Sequence, residues 1–225
     1  MQALANLFRV PKSILSYAIK SKDIGMMSYW LLFVLWNIVA YNGPLLLFTM
    51  GELDFTSLSS LFIVINLLLL ILFITLLFLF PIGFIFPWAI KPLTLLLLVI
   101  NSVALYFIVT YNVILDKSMM GNIFNTQFDE AASYYHSSIF LYVGFLGLLP
   151  ALFFSRYTIR TIVRLRLTVH TLFWIVVCVL AFYGTASTWL WFDKHGKQLG
   201  GLVLPWSYVI NTGLLVSEPQ VIMSK

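Results

Sequence analysis

The sequence predicts an all-α integral membrane protein with five transmembrane helices and a short interfacial helix in the outer loop between helices three and four. Its 225 residues are 61% hydrophobic and only 9% charged, against roughly 25% charged residues in a soluble domain. Too few polar side chains are present to cover a soluble surface, so the bilayer must solvate most of this one. The net charge of +5 does not indicate nucleic-acid binding, because that function needs a basic face on a soluble body.

Five long intervals without Asp, Glu, Lys or Arg divide the chain. Each holds the roughly 20 apolar residues that a helix needs to cross about 30 Å of hydrocarbon. Helices are expected because a membrane-embedded segment must satisfy its own backbone polar groups, and these runs lack the alternation of barrel strands. The predicted spans are residues 29–48, 58–80, 92–115, 135–154 and 167–190. Pro44 is expected to kink or end the first helix, and residues 81–88 are expected to form an interfacial turn.

The basic residues are distributed asymmetrically among the loops. Nine of the thirteen lie before helix one, after helix two, or between helices four and five, together with a single acid, Asp23. The positive-inside rule places this side in the cytoplasm. Five spans then give a cytoplasmic N-terminus and an extracytoplasmic tail from Asp193 onward. The arginines between helices four and five are interpreted as an anchor to anionic inner-leaflet lipid.

The outer loop between helices three and four carries the pattern most relevant to function. Asn122, Thr126 and Glu130 recur at i, i+4 and i+8, so a helix over about residues 118–130 would place them in one polar stripe. Asp116 and Ser118 are the two candidate caps for the start of that helix. The stripe either faces water or holds a lipid headgroup. In the second case Glu130 would pair with an ammonium group, while Asn122 and Thr126 would hydrogen-bond to a phosphate or to the same amine.

This loop also carries a family resemblance. The run Tyr111-x4-Asp116-x2-Met119-x2-Asn122-x3-Thr126-x3-Glu130 resembles the lipid A phosphoethanolamine transferases, which include the plasmid-borne colistin-resistance enzymes. The segments at residues 144–150 and 192–199 are similar as well, so the resemblance covers nearly the whole chain. It implies that Asn122, Thr126 and Glu130 bind the headgroup of phosphatidylethanolamine. Candidate supporting residues are Tyr111, Asp116 and Met119.

The resemblance further implies a bacterial inner-membrane enzyme with a second, extracytoplasmic domain of alkaline-phosphatase type, which carries a threonine nucleophile and zinc. We expect that domain to lie outside these residues and this chain to be inactive alone. Its three histidines, His136, His170 and His195, are too dispersed for a zinc site. The whole enzyme would move phosphoethanolamine from phosphatidylethanolamine to lipid A or another envelope glycan. Masking anionic phosphate in this way weakens the attraction of cationic peptides such as polymyxins.

Several other polar residues have two interpretations. Lys194, His195 and Lys197 either contact lipid phosphates or form a solvated cluster beside the membrane. Asn66 and Asn101 are expected to make interhelical hydrogen bonds. No acidic residue falls mid-span in the sequence, which argues against a proton-coupled transporter. Two further functions stay open: a free-standing membrane module that binds lipid or a partner without catalysis, and a small channel or carrier.

Overall fold

Long apolar helices form the framework of the protein, which we describe from a computed structural model over residues 22–126 and 136–217. Short 3-10 turns at Pro87–Ala89 and Ala186–Thr188 connect some of the elements. In chain order the elements are β1 (Lys22–Gly25), α1 (Met26–Tyr41), α2 (Gly43–Gly51), α3 (Leu58–Ile85), α4 (Ile90–Tyr111), α5 (Lys117–Asn125), α6 (Ile139–Ser155), β2 (Tyr157–Arg160), α7 (Arg164–Gly184), α8 (Trp189–Lys194), α9 (Gly196–Leu202) and α10 (Trp206–Ser217).

Three helices of the described chain, α3, α4 and α7, are each long and apolar enough to cross a membrane. Two bent pairs, α1–α2 and α9–α10, raise the number of candidate spans to as many as five. The predicted spans at residues 58–80, 92–115 and 167–190 therefore correspond to α3, α4 and α7 with shifted ends. The predicted span at 135–154 corresponds to α6, which is shorter and contains a π-helical stretch at Tyr142–Leu148.

The predicted turn over residues 81–88 is wrong for its first half. Helix α3 continues through Pro81 to Ile85, and the chain turns only at Phe86. Proline removes one backbone hydrogen bond, whereas ending the helix there would leave several polar groups without partners in apolar surroundings. The helix therefore tolerates the proline and extends by a further turn.

A break at Asn42 divides the first predicted span into α1 and α2, which meet at 61°. Pro44 lies in the first turn of α2, where its missing N–H removes no intrahelical bond, so the predicted kink is confirmed. The fully buried Asn42 side chain bridges the break to a distant segment. Its amide donates to the carbonyl of Leu204 at 3.0 Å, and its Oδ1 accepts from the Leu204 N–H at 3.0 Å. One carboxamide thus satisfies both backbone polar groups of Leu204.

The segment Gly196–Ser217, which we call the tail hairpin, re-enters the bundle. Its helices α9 and α10 meet at 106°, and the bend, which contains a cis Leu204–Pro205 bond, is buried. The indole N–H of Trp206 donates to Thr75 Oγ1 on α3 at 3.1 Å, and its ring stacks on Phe78 at 4.5 Å. The prediction placed the tail from Asp193 onward outside the membrane and gave it no packed structure. The structure shows that the bend carries large apolar side chains that pack between the helices.

Both ends of the tail hairpin return to the same end of the bundle. Lys197 Nζ lies 3.4 Å from Asp116 Oδ2 at the start of α5. Near the other end of the hairpin, Leu215 packs beside Gly121 in α5. The chain thus enters and leaves at the level of α5, and the end of α10 remains beside the point where α9 begins.

The opposite end of the bundle holds a two-stranded parallel sheet. Strand β1 pairs with β2 in the register Lys22↔Tyr157 to Gly25↔Arg160, and Arg160 Nη2 lies 2.6 Å from Asp23 Oδ2. The Arg164 guanidinium packs over the Phe84 ring at 5.2 Å, so the end of α3 also lies here. Lys22, the described basic residue before helix one, therefore lies beside the arginines that follow helix four, as the predicted grouping of these loops requires.

Polar side chains within the spans connect neighbouring helices. Asn66 of α3 donates to Thr185 Oγ1 at 2.7 Å and to Thr188 Oγ1 at 3.0 Å, just after α7. Asn101 of α4 accepts from the Tyr208 hydroxyl of α10 at 2.8 Å. The predicted interhelical hydrogen bonds of both asparagines are confirmed. They hold α7 against α3 and the tail hairpin against α4.

We expect Asn42→Leu to destabilise the bundle, because it keeps the volume and leaves the buried N–H and C=O of Leu204 unpaired. Each such group costs about 1–3 kcal/mol. The measurement is the apparent melting temperature of the purified protein in detergent. Asn125→Ala, at an exposed position of α5, is the matched control and should leave the melting temperature unchanged. Equal melting temperatures for Asn42→Leu and the wild type would contradict the assignment.

Candidate functional site

The start of α5 is capped by Asp116. The Asp116 carboxylate accepts from the Met119 N–H at 2.9 Å, and its backbone is extended, as an N-cap requires. Of the two predicted caps, Asp116 and Ser118, the structure has Asp116. This backbone hydrogen bond, aided by the Lys197 ammonium, lowers the pKa of Asp116 below its ordinary value. Asp116 therefore stays ionised at neutral pH and fixes the direction in which α5 leaves the loop.

The tail hairpin holds α5 at its base. The Leu115 N–H donates to the Gly201 carbonyl at 2.8 Å, and the Asn211 side chain donates to the Leu115 carbonyl at 2.9 Å. A Cβ atom on Gly201 would lie 2.8 Å from Cβ of Ile114, so only glycine permits this approach. Both backbone polar groups of Leu115, in the loop before α5, are thus hydrogen-bonded to the tail hairpin.

Two of the three residues of the predicted polar stripe lie at the far end of α5. The helix ends at Asn125, and the backbone of Thr126, the next residue, is extended. The Thr126 hydroxyl donates to the Asn122 carbonyl at 2.7 Å. Glu130 lies outside the described residues, so its predicted place in the stripe is not observed. Within the predicted helix over 118–130, the structure has a helix at Lys117–Asn125 and an extended Thr126, and residues 127–130 lie outside the described part.

Asn122 and Thr126 line an elongated cavity of about 900 Å³ between α4, α5 and α10. Its walls are mostly apolar, and its polar groups are concentrated on the α5 side. Tyr111 stacks on Phe107 in one wall, with ring centroids 5.7 Å apart. The side chains that line the cavity come chiefly from one face of α4, and are Ile100, Val103, Ala104, Phe107 and Tyr111.

The supporting residues named from the sequence take different positions around α5. Met119 lines the cavity together with Tyr111, whereas Asp116 caps the helix and lines a separate niche of about 570 Å³ that is bordered by charged residues. Lys197 and Asn211 of the tail hairpin face that niche. Helix α5 therefore separates an apolar cavity with a polar rim from a charged niche.

Comparison with known proteins decides the family. The sequence profile of the family described as phosphoethanolamine transferase EptA/EptB matches residues 69–219. The chain belongs to this family. It is 35% identical over 112 residues to the phosphoethanolamine transferase EptA of Helicobacter pylori, covering 50% of this chain and 22% of that protein. It is 37% identical over 67 residues to the EptA of Escherichia coli O157:H7, covering 30% of this chain and 12% of that protein.

A solved structure shares the fold of this EptA/EptB family member. The integral membrane protein lipooligosaccharide phosphoethanolamine transferase A (EptA) from Neisseria meningitidis superposes with a TM-score of 0.71 at 19% sequence identity. The match covers 86% of this chain and 36% of that one. The chain spans less than a quarter of the curated relatives that it matches. The family resemblance stated from the loop motif is confirmed, and the chain is a multi-pass membrane protein.

The three residues predicted to contact lipid phosphates are not equivalent in this EptA/EptB family member. His195 is buried, with Nδ1 2.8 Å from the Trp191 carbonyl oxygen and Nε2 3.5 Å from a Glu52 carboxylate oxygen. Both ring nitrogens therefore face groups of the chain itself, which favours a structural role. Lys197 pairs with Asp116, and Lys194 is exposed. For the two lysines both predicted interpretations, lipid phosphate contact and solvated cluster, stay open, whereas the burial of His195 argues against a lipid contact.

The sequence did not predict that the tail hairpin positions the site. Gly201 and Asn211 hydrogen-bond to Leu115 at the base of α5, and Tyr208 lines the cavity. The signal available was the polar spacing of Ser207 and Asn211, four residues apart in an apolar segment. Among the described residues, no group of three or more histidine, cysteine or carboxylate side chains converges to hold a metal ion.

We expect Asp116→Ala to loosen α5, because loss of an N-cap costs about 1 kcal/mol. Amide hydrogen exchange in α5 should then accelerate roughly fivefold. Ser118→Ala, on the same helix and beside the same niche, is the control and should exchange as the wild type does.

The stabilisation of α5 by the Asp116 cap should also depend on pH. Because the folded-state pKa of Asp116 is lowered, its contribution is fully present above the ordinary aspartate pKa near 3.9 and is lost as the pH falls through the lowered value. The difference in amide exchange between wild type and Asp116→Ala should therefore become smaller in acid, where the carboxylate loses its charge. Asp116→Asn keeps a neutral cap and should show no such transition. A difference that persists unchanged at low pH would refute the assignment.

Proposed function

We propose that this chain is the membrane part of an enzyme that moves phosphoethanolamine from phosphatidylethanolamine to lipid A or another envelope glycan. In this proposal the chain anchors the enzyme and presents the donor headgroup. The observation that carries the proposal is the position of Asn122 and Thr126, in a member of the EptA/EptB family, on the polar rim of an apolar cavity. An amphiphile requires that combination of surfaces at one site.

The chemistry of the rim matches a zwitterionic headgroup. The Thr126 hydroxyl donates its hydrogen bond to the Asn122 carbonyl. Its oxygen lone pairs are therefore available as acceptors for an ammonium group. The exposed Asn122 side chain supplies N–H donors for phosphate oxygens. Glu130 would add the carboxylate that pairs with the ammonium. The three groups together would distinguish phosphoethanolamine from headgroups that lack N–H donors.

We place the basic end of the bundle in the cytoplasm and α5 at the extracytoplasmic interface. The support is the concentration of arginine and lysine beside the β1–β2 sheet. Exposed Lys194 and Lys197 would then contact lipid phosphates on the outer side. The tail hairpin returns to that same end, so any part of the protein that follows α10 begins beside the proposed headgroup site.

The threonine nucleophile and zinc implied by the resemblance belong, in this proposal, to a catalytic domain outside this chain. The curated EptA relatives are several times longer than the matched part. The chain alone would then bind donor lipid without turning it over. Family membership favours this function over a channel or carrier.

The headgroup site is tested by lipid selectivity. Native mass spectrometry of the purified protein, offered equal amounts of phosphatidylethanolamine and phosphatidylcholine with identical acyl chains, should show preferential retention of phosphatidylethanolamine. Loss of one hydrogen bond to a charged group costs about 1.5–3 kcal/mol, so Asn122→Ala, Thr126→Val and Glu130→Ala should each lower the preference about tenfold or more.

Ser118→Ala is the matched control for this experiment, since it removes a hydroxyl from the niche side of the same helix. The same substitutions, carried by a protein that includes the catalytic domain, should reduce the phosphoethanolamine found on lipid A by mass spectrometry. A lipid preference unchanged in a combined Asn122, Thr126 and Glu130 variant would sink the proposed headgroup site.

The proposed orientation is tested by cysteine labelling. Cys178 is the only cysteine and is buried, so Cys178→Ser gives a cysteine-free background with little disturbance. In that background, Thr56→Cys between α2 and α3 should react with an impermeant maleimide on intact spheroplasts. Thr158→Cys in β2 should react only after permeabilisation. The reverse pattern would invert the topology.

A further inference from the structure

The cavity beside α5 extends far beyond the reach of a headgroup. Its α4 wall is formed by residues at i, i+3, i+4, i+7 and i+11, which is one continuous helix face. From Ile100 to Tyr111 this face runs for about 16 Å at 1.5 Å per residue. The cavity is therefore a long slot of about 900 Å³ that runs from the rim at Asn122 and Thr126 toward the middle of α4.

The slot has a defined deep end. Tyr208 of α10 lines it, and the Tyr208 hydroxyl is held by Asn101 Oδ1 at 2.8 Å. Asn101 is the neighbour of Ile100, the lining residue of α4 farthest from α5. Helix α4, helix α5 and the tail hairpin thus enclose the slot from different directions. A lipid of the surrounding bilayer would meet only one such surface at a time.

We infer that this slot seats one acyl chain of the donor phospholipid. An occupant must be slender and apolar over most of its length, and polar only where it reaches Asn122, Asn125 and Thr126. A phospholipid chain with its headgroup at the rim meets both requirements. The inference rests on the proposed donor site for the identity of the lipid, while the presence of a chain rests on the slot itself.

Ala104 is the position at which the slot can be closed. It lies in the middle of the α4 wall, and only 8% of its surface is exposed. A tryptophan there would fill the slot between the rim and Tyr208. Val109 lies on the same helix with 51% of its surface exposed and does not line the slot. Val109→Trp therefore adds the same side chain to α4 without blocking the slot.

The experiment uses phosphatidylethanolamine with a diazirine at the end of one acyl chain, added to the purified chain in nanodiscs, with cross-links mapped by mass spectrometry. We expect labelling to concentrate on the α4 wall and Tyr208, several-fold above the exposed face of α7. Ala104→Trp should reduce this labelling at least fivefold, and Val109→Trp should leave it unchanged. Val103→Phe provides a second, smaller obstruction if Ala104→Trp does not fold.

Two outcomes separate this inference from the headgroup proposal. If a phosphatidylcholine with the same diazirine labels the slot equally, the slot does bind an acyl chain, and the proposed preference for the phosphatidylethanolamine headgroup is wrong. Labelling that is spread evenly over α4 and α7, or that is unaffected by Ala104→Trp and Val103→Phe, would show that the slot does not bind an acyl chain. This conclusion would hold whether or not the protein prefers phosphatidylethanolamine. Excess unlabelled diacylglycerol should compete for the seat, and failure to compete would count against it.

Discussion

The arrangement of the tail hairpin and of α5 depends on one buried amide pairing. A helix break at Asn42 and a sharp bend at Leu204 would each leave backbone polar groups unsatisfied in apolar surroundings, where every such group is costly. The Asn42 carboxamide has the donor and acceptor of a peptide group, and it pairs with both groups of Leu204. The bend at Leu204 is therefore tolerated because the Asn42 side chain, placed at the helix break, supplies partners for its backbone.

From that pairing a series of contacts leads to the proposed site. The bend at Leu204 fixes the tail hairpin, whose Gly201 and Asn211 hydrogen-bond to the two sides of Leu115. The next residue, Asp116, caps α5 and so directs it along the rim of the cavity. Asn122 and Thr126 owe their position to a residue some 80 places earlier in the chain. A site built in this way is rigid at its base, which favours discrimination between similar headgroups.

Much of this arrangement follows from local sequence and some of it does not. Charge-free runs predict the spans because bilayer thickness fixes their length, and the spacing around Asp116 predicts the cap because capping is a local interaction. The tail hairpin was not predicted, since its stability comes from partners such as Thr75 and Asn101 that are remote in sequence. The burial of His195 depends likewise on Glu52, and nothing local indicates that contact.

The different surfaces of α4 and α5, one apolar and one polar, explain why the proposed lipid site lies at their junction. A phospholipid presents its chain and its headgroup at different depths, so its binding site needs an apolar wall within the hydrocarbon and polar groups above it. Helix α4 supplies the wall, and α5 supplies the rim after a turn in which Asn112 adopts a left-handed conformation at φ 51°. Asparagine tolerates that conformation better than most residues. The proposed selectivity for the donor would consequently be shared between polar residues on α5 and mainly apolar residues on α4, because neither surface alone distinguishes a whole phospholipid from its parts.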